Sequence, residues 1–150
     1  MRAVEFLNEA PKKLYHGSME YLPVGTILTS RDNYEDRWGH TDFFDALEYY
    51  RPKNKLSHTQ SVFMCDNPDD VDLAGGGTEY LFTVIPIGPV QRHDLNWSSE
   101  VSSLISLGYD LDSPEVKNAA EAYWAGEESP NEVLWEYLAP KAKIIAVEEY

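Results

Sequence analysis

The sequence predicts one α+β domain, and three observations lead there. Apolar runs of strand length, such as "KLYHG", "SVFMC" and "EYLFTVIPIGPV", are bounded by Pro, Gly, Asp and Asn. Between them lie segments with helix start and stop residues, of which "SPEVKNAAEAYWAG" is the clearest. The chain has 150 residues, 13% of them aromatic. A chain of this size buries roughly 68–70% of its unfolded surface, enough for one core and a cleft.

Taken in order, the opening "MRAVEFLNEA" sets Val4, Phe6 and Leu7 among polar residues and stops before Pro11, which predicts a short helical arm over residues 1–11. "KLYHG" and "VGTILTS" predict two strands joined by a turn on Pro23 and Gly25. "DFFDALEYY" predicts a helix with Asp42 as its cap and Pro52 as its limit, and the rest of the stretch from Arg31 to Gln60 reads as loops. "SVFMC" predicts a strand, and "DNPDDVDLAGGG" a helix that Asp66 or Asn67 caps, Pro68 opens and Gly75 to Gly77 end. "EYLFTVIPIGPV" predicts a central strand, with Pro86 marking where regular pairing stops. Helices follow near "SEVSSLISLG" and at "SPEVKNAAEAYWAG", the second with Ser113 as cap, Pro114 at its first position and Gly126 at its end. "NEVLWEYLAP" and "AKIIAVEEY" predict two closing strands separated by Pro140. The sum is about six strands and three or four helices.

Composition excludes several functions. A formal net charge of −14 disfavours a nucleic-acid partner, because that binding relies on Lys and Arg neutralising phosphates. Arg31, Arg37, Arg51 and Arg92 are the bases to follow into any cleft. One cysteine, Cys65, allows no internal disulfide and suits a reducing compartment. No apolar run approaches the roughly 18 residues of a membrane span, and no signal-peptide layout opens the chain, so a cytoplasmic protein without a membrane partner is expected. The four histidines, His16, His40, His58 and His93, lack paired ligand spacing, so no metal is expected. "DNPDDVD" lacks the central Gly and closing Glu of a calcium loop. "AGGGTEY" lacks the Lys of a phosphate loop, and no Gly-x-Ser-x-Gly is present.

What remains is an order of motifs: "LYHG", "SVFMCDNPDDVDLA", "YLFTVIPIGPV" and "EVLWEYLAPKAKII". This order resembles the ADP-ribosyltransferase superfamily, whose members cleave the nicotinamide-ribose bond of NAD and pass ADP-ribose to an acceptor. The resemblance runs from Leu14 to Val147 and is to the His-Gly branch, which contains the poly-ADP-ribose polymerases and the rifampin-modifying transferases. It implies split antiparallel β-sheets flanked by short helices around an NAD cleft, with NAD as co-substrate. His16 matches the histidine that bonds the adenosine ribose, and Gly17 the glycine whose backbone holds the nicotinamide amide; Tyr15 would line the same pocket. Phe63 stands where the polymerase-like members have the tyrosine that stacks on nicotinamide, so the ring is kept and the hydroxyl is not.

"EYLAPKAKII" resembles the closing family pattern of Glu, apolar residues, Pro, a base and a returning strand, which points to Glu136 as the catalytic acid. Glu132 is a rival four residues earlier and, by strand alternation, on the same face. "TVIPIGPVQRHDLN" resembles the rifampin-type layout and makes Asp94 the second choice. Arginine-specific members carry Glu or Gln two residues before the catalytic acid; Leu134 occupies that place, which disfavours arginine-specific transfer. The resemblance therefore implies a mono-ADP-ribosyltransferase with a protein acceptor. Leu7-Asn8-Glu9 also resembles the tripeptides cut by prohead proteases of large tailed phages, which carry transferases of this superfamily, and this implies a phage protein that modifies a host protein. Two other readings stand beside it. One is a non-catalytic module of the same fold that binds NAD, ADP-ribose or a protein, which Phe63 favours. The other is an acidic mimic of nucleic acid, which the charge alone suggests.

Overall fold

A computed structural model describes residues 13–30, 42–71 and 79–150. The strands are β1 Leu14–Ser18, β2 Ile27–Thr29, β3 Val62–Cys65, β4 Tyr80–Ile87, β5 Gln91–Asp94, β6 Trp135–Ala139 and β7 Lys141–Glu149. The helices are α1 Asp42–Tyr49, α2 Leu95–Ser106 and α3 Pro114–Ala125. All strands join one antiparallel sheet in the order β2-β7-β4-β1-β3-β6-β5. The molecule is thus α+β, as expected, with a single seven-stranded sheet in place of two separate ones.

The sheet nevertheless has a narrow seam. β1 and β3 share one residue pair, Tyr15 opposite Cys65, whereas β4 and β7 pair from Tyr80 opposite Glu149 to Ile87 opposite Lys141. Away from the seam, the β4–β7 and β5–β6 ladders are successive stretches of one two-stranded ribbon, which turns a corner at residues 88–90 and Pro140. Proline cannot donate to a ladder, and Gly88 takes φ +90°, so neither chain continues straight. The two turns touch: a Cβ on Gly88 would lie 3.2 Å from Pro140 Cγ.

Side chains alternate across the sheet. One face builds a core from both sides of the seam, with Leu14, Phe82, Val84 and Ile144 meeting Met64 and Ala139. The opposite face turns Phe63, Glu136 and His93 toward the helices, whose own core centres on Leu47, Val101, Val116, Ala120, Tyr123 and Trp124.

Local signals explain the helices. Ser113 Oγ accepts the Val116 N–H, Pro114 opens α3, and Gly126 closes it at φ +74°, the left-handed conformation that glycine adopts without a Cβ penalty. α1 stops at Tyr49, before Pro52, and Trp124 Nε1 donates to the Leu47 carbonyl there (2.7 Å), tying α3 to α1. α2 begins earlier than its apolar pattern suggests, because Asp94 accepts from Asn96 N–H and caps it.

Two expectations need correction. Pro86 does not end pairing: it lies opposite Ala142 inside β4. Among the described residues β1 reaches no further than Leu14 opposite Val84, so no described strand pairs with β4 on that side at Pro86, where a missing N–H leaves no ladder bond unmade. At Pro68–Asp70 the structure has a 3₁₀ turn, capped by Asn67. Its expected continuation to Gly75–Gly77 lies outside the described residues, as do the arm over 1–11, Arg31, Arg37 and His40. Among the described residues no helix is long and apolar enough to cross a membrane.

Candidate active site

Strand register sets four residues in a line. Tyr15, Cys65, Glu136 and His93 stand opposite one another across β1, β3, β6 and β5, at about 5 Å per strand. Their side chains share the helix-covered face. Phe63 is two residues from Cys65 on β3, which places it diagonally across from Glu136 at about 7–8 Å between Cα atoms. The seam therefore brings Tyr15, Phe63 and Glu136 onto one patch.

Glu136 is buried, at 6% exposure. The Tyr123 hydroxyl, projecting from α3, donates to its Oε1 (3.0 Å). Oε2 has no hydrogen-bond partner among the described residues. Burial pushes the carboxyl up to about 7, against the Tyr123 bond, which pulls it down. Tyr123 is itself fixed. His58 Nε2 lies 2.6 Å from its hydroxyl, and His93 stacks on its ring with centroids 4.4 Å apart. His93 Nδ1 donates to the Tyr123 carbonyl (2.6 Å), which leaves Nε2 of the neutral ring to accept from Gln91 Nε2 (2.9 Å).

The neighbours are uncharged at neutral pH. Burial is the main cause that lowers His58 to about 4, with the Arg51 charge adding to it. Burial likewise lowers His93 to about 3, against the bond to the Tyr123 carbonyl. Cys65 is pushed up to about 12, mainly by burial. Of Cys65, His93 and Glu136, the one placed to change charge near pH 7 is Glu136.

His16 and Gly17 take different places. His16 points to the other face, stacked on Phe82, and its Nδ1 donates across the seam to the Phe63 carbonyl (2.7 Å). It is a side-chain stitch where the backbone ladder gives out. Gly17 is buried opposite Leu81.

Asp94 is fully buried and committed to backbone. Its Oδ1 accepts from Asn96 N (3.0 Å) and Leu134 N (3.2 Å), and its Oδ2 from Ser129 N (2.8 Å). Burial alone would raise its pKa, but these bonds outweigh it and hold the carboxyl below its ordinary value. Asp94 is thus a cap and a loop clamp. Glu132 is exposed and precedes β6, which starts at Trp135, so strand alternation does not set it beside Glu136.

The two arginines among the described residues are engaged elsewhere. Arg92 lies over the Trp135 ring (3.9 Å) and Arg51 pairs with Glu48 (3.1 Å). A cleft of about 490 Å³ at the start of β6 is lined by Asp66, Asp70 and Glu132, and one of about 460 Å³ between α2 and α3 by Glu100, Glu115, Glu121 and Glu127. Carboxylate linings of this kind repel a diphosphate. Among the described residues no group of three or more His, Cys, Asp and Glu is placed to hold a metal ion.

Tyr123, His58 and His93 join the cluster around Glu136, and the motif reading passed over them. A signal for Tyr123 existed: it falls on the buried stripe of α3 with Val116, Ala119 and Ala120, and a buried tyrosine hydroxyl needs a partner. Its partner could not be read, since Glu136 is thirteen residues away on another element. No protein-family model matches the chain, and no curated protein does.

Proposed function

We propose that the protein is an NAD-dependent mono-ADP-ribosyltransferase with Glu136 as its catalytic acid. The observation that carries this reading is the carboxylate itself: Oε1 is held by Tyr123, while Oε2 has no partner among the described residues and stands on one patch with the rings of Phe63 and Tyr15. In the reaction the bond between ribose C1′ and the nicotinamide nitrogen breaks, its electron pair leaves with neutral nicotinamide, and C1′ becomes cation-like. A carboxylate oxygen on the ribose 2′-OH, facing that charge, stabilises the transition state more than the ground state. The acceptor then bonds to C1′ and gives up its proton. Phe63 offers a flat face for the nicotinamide ring, and Gly17 sits on the adjoining strand, while the His16 side chain lies on the opposite face. The charge of −14 disfavours a nucleic-acid acceptor, and we take the acceptor to be a protein.

A second reading, a module that binds NAD or ADP-ribose without turnover, is favoured by Phe63, which lacks a hydroxyl. One experiment separates the two: nicotinamide release from NAD by the pure protein, with and without bacterial lysate, for wild type and Glu136→Gln. Release that falls by about a hundredfold or more in Glu136→Gln, some 3 kcal/mol of barrier, is the expected result. NAD binding without release in either condition would favour the binding module, and neither binding nor release would sink both.

A further inference from the structure

We propose that Tyr123 is the positioning residue for Glu136, and that His58 behind it keeps the carboxyl held in both of its protonation states. This rests on the reading of Glu136 as the catalytic acid. The geometry points to it independently of any motif. Three buried groups from three elements form one chain, Glu136 on β6, Tyr123 on α3 and His58 in the 3₁₀ turn His58–Gln60, with contacts of 3.0 and 2.6 Å.

The chain can run either way. With Glu136 ionised, the Tyr123 O–H points to Oε1 and the hydroxyl oxygen accepts from His58 Nε2–H. With Glu136 protonated, its O–H points to the Tyr123 oxygen, and Tyr123 donates to a bare His58 Nε2. A neutral imidazole has one donor and one acceptor nitrogen and can exchange them, so both patterns keep every bond without moving a side chain. His58 suits this role because it stays neutral in its buried position. The tyrosine is a rigid arm. Its ring is stacked on His93 and packed edge-on against Trp124 at 5.0 Å, and its carbonyl is fixed by His93 Nδ1. A carboxylate held this way meets its ligand without reorganising, and its second oxygen is the one presented.

The other titratable groups around this chain are Cys65 on β3, His93 on β5, Tyr15 on β1, and Glu48, whose Oε2 lies 3.9 Å from His58 Nδ1 and which pairs with Arg51. Among these, Tyr123 is the one hydrogen-bonded to Glu136.

Tyr123→Phe keeps the ring and its stacking and removes the hydroxyl. The Glu136 carboxyl is titrated by ¹³C NMR, assigned with Glu136→Gln, alongside the pH profile of nicotinamide release. In Tyr123→Phe the carboxyl midpoint is expected to rise by about one unit, leaving roughly tenfold less carboxylate well below the midpoint. The rising limb of kcat should move with it, while KM for NAD stays within twofold. An unchanged midpoint overturns the proposal. Replacing Tyr123 by 3-fluorotyrosine, nearly isosteric and a stronger donor, guards against misfolding: the midpoint should then fall, and failure to fall also overturns it. The titration needs no turnover, so a wild type that releases no nicotinamide sinks the function and leaves the positioning role to be decided by NMR.

Discussion

Glu136 and Asp94 are both buried acids, and their surroundings give them opposite characters. Asp94 is held by three backbone N–H groups and sits below its ordinary pKa, whereas Glu136 has one hydroxyl and sits near 7. A raised carboxyl favours the folded state while protonated, so its contribution is lost as pH rises from 4.5 through 7. Above pH 7 the wild type bears a cost of about 3 kcal/mol that is absent below pH 4.5. Glu136→Gln is therefore expected to be more stable than wild type at pH 8 and equal to it near pH 4, as read from urea melts. Asp94→Ala should do the reverse, losing about 2–4 kcal/mol through a lost cap and unpaired N–H groups. Nicotinamide release per folded molecule should survive it, which separates the two acids by function.

At the scale of elements, the corner of the long ribbon is where sequence and shape depend most on each other. Gly88 has both a positive φ and a neighbour, Pro140, within 3.2 Å of any added Cβ. Gly88→Ala is expected to cost about 1–3 kcal/mol, visible as a lower urea midpoint with an unchanged m-value. Signals that act within a few residues were legible. Ser113, Pro114 and Gly126 mark both ends of α3, and Pro140 divides β6 from β7, because caps and proline geometry are local physics. Pro86 was misread because its tolerance depends on where another strand ends, and Glu132 because alternation says nothing about where a strand begins. The site was legible in part. The motif reading named Phe63 and Glu136, which strand register sets on one patch, but the Tyr123–His58 chain joins residues 65 positions apart, and pairing at that distance is set by packing.

For the molecule as a whole, buried titrating groups shape a stability profile with a maximum. His58 and His93 are neutral in the fold down to about 4 and 3, so the unfolded chain takes up their protons first as pH falls below 6.5. Each then costs roughly 1 kcal/mol per pH unit, while Glu136 offsets one of them between 4.5 and 7. Stability should climb to about pH 6.5 and decline slightly beyond it, and Glu136→Gln should abolish the decline; a series of urea melts from pH 4 to 8 reads both limbs. The seam at Tyr15 and Cys65 has a last consequence. Strands β1, β2, β4 and β7 lie on one side of it and β3, β5 and β6 on the other, so the polypeptide crosses it four times. Hydrogen bonding nearly divides the sheet there, yet covalent connectivity laces the halves together like a boot. Neither half is a continuous stretch of sequence, so the line of weakest pairing is no place to cut the gene, and no single break in the chain can release one half intact.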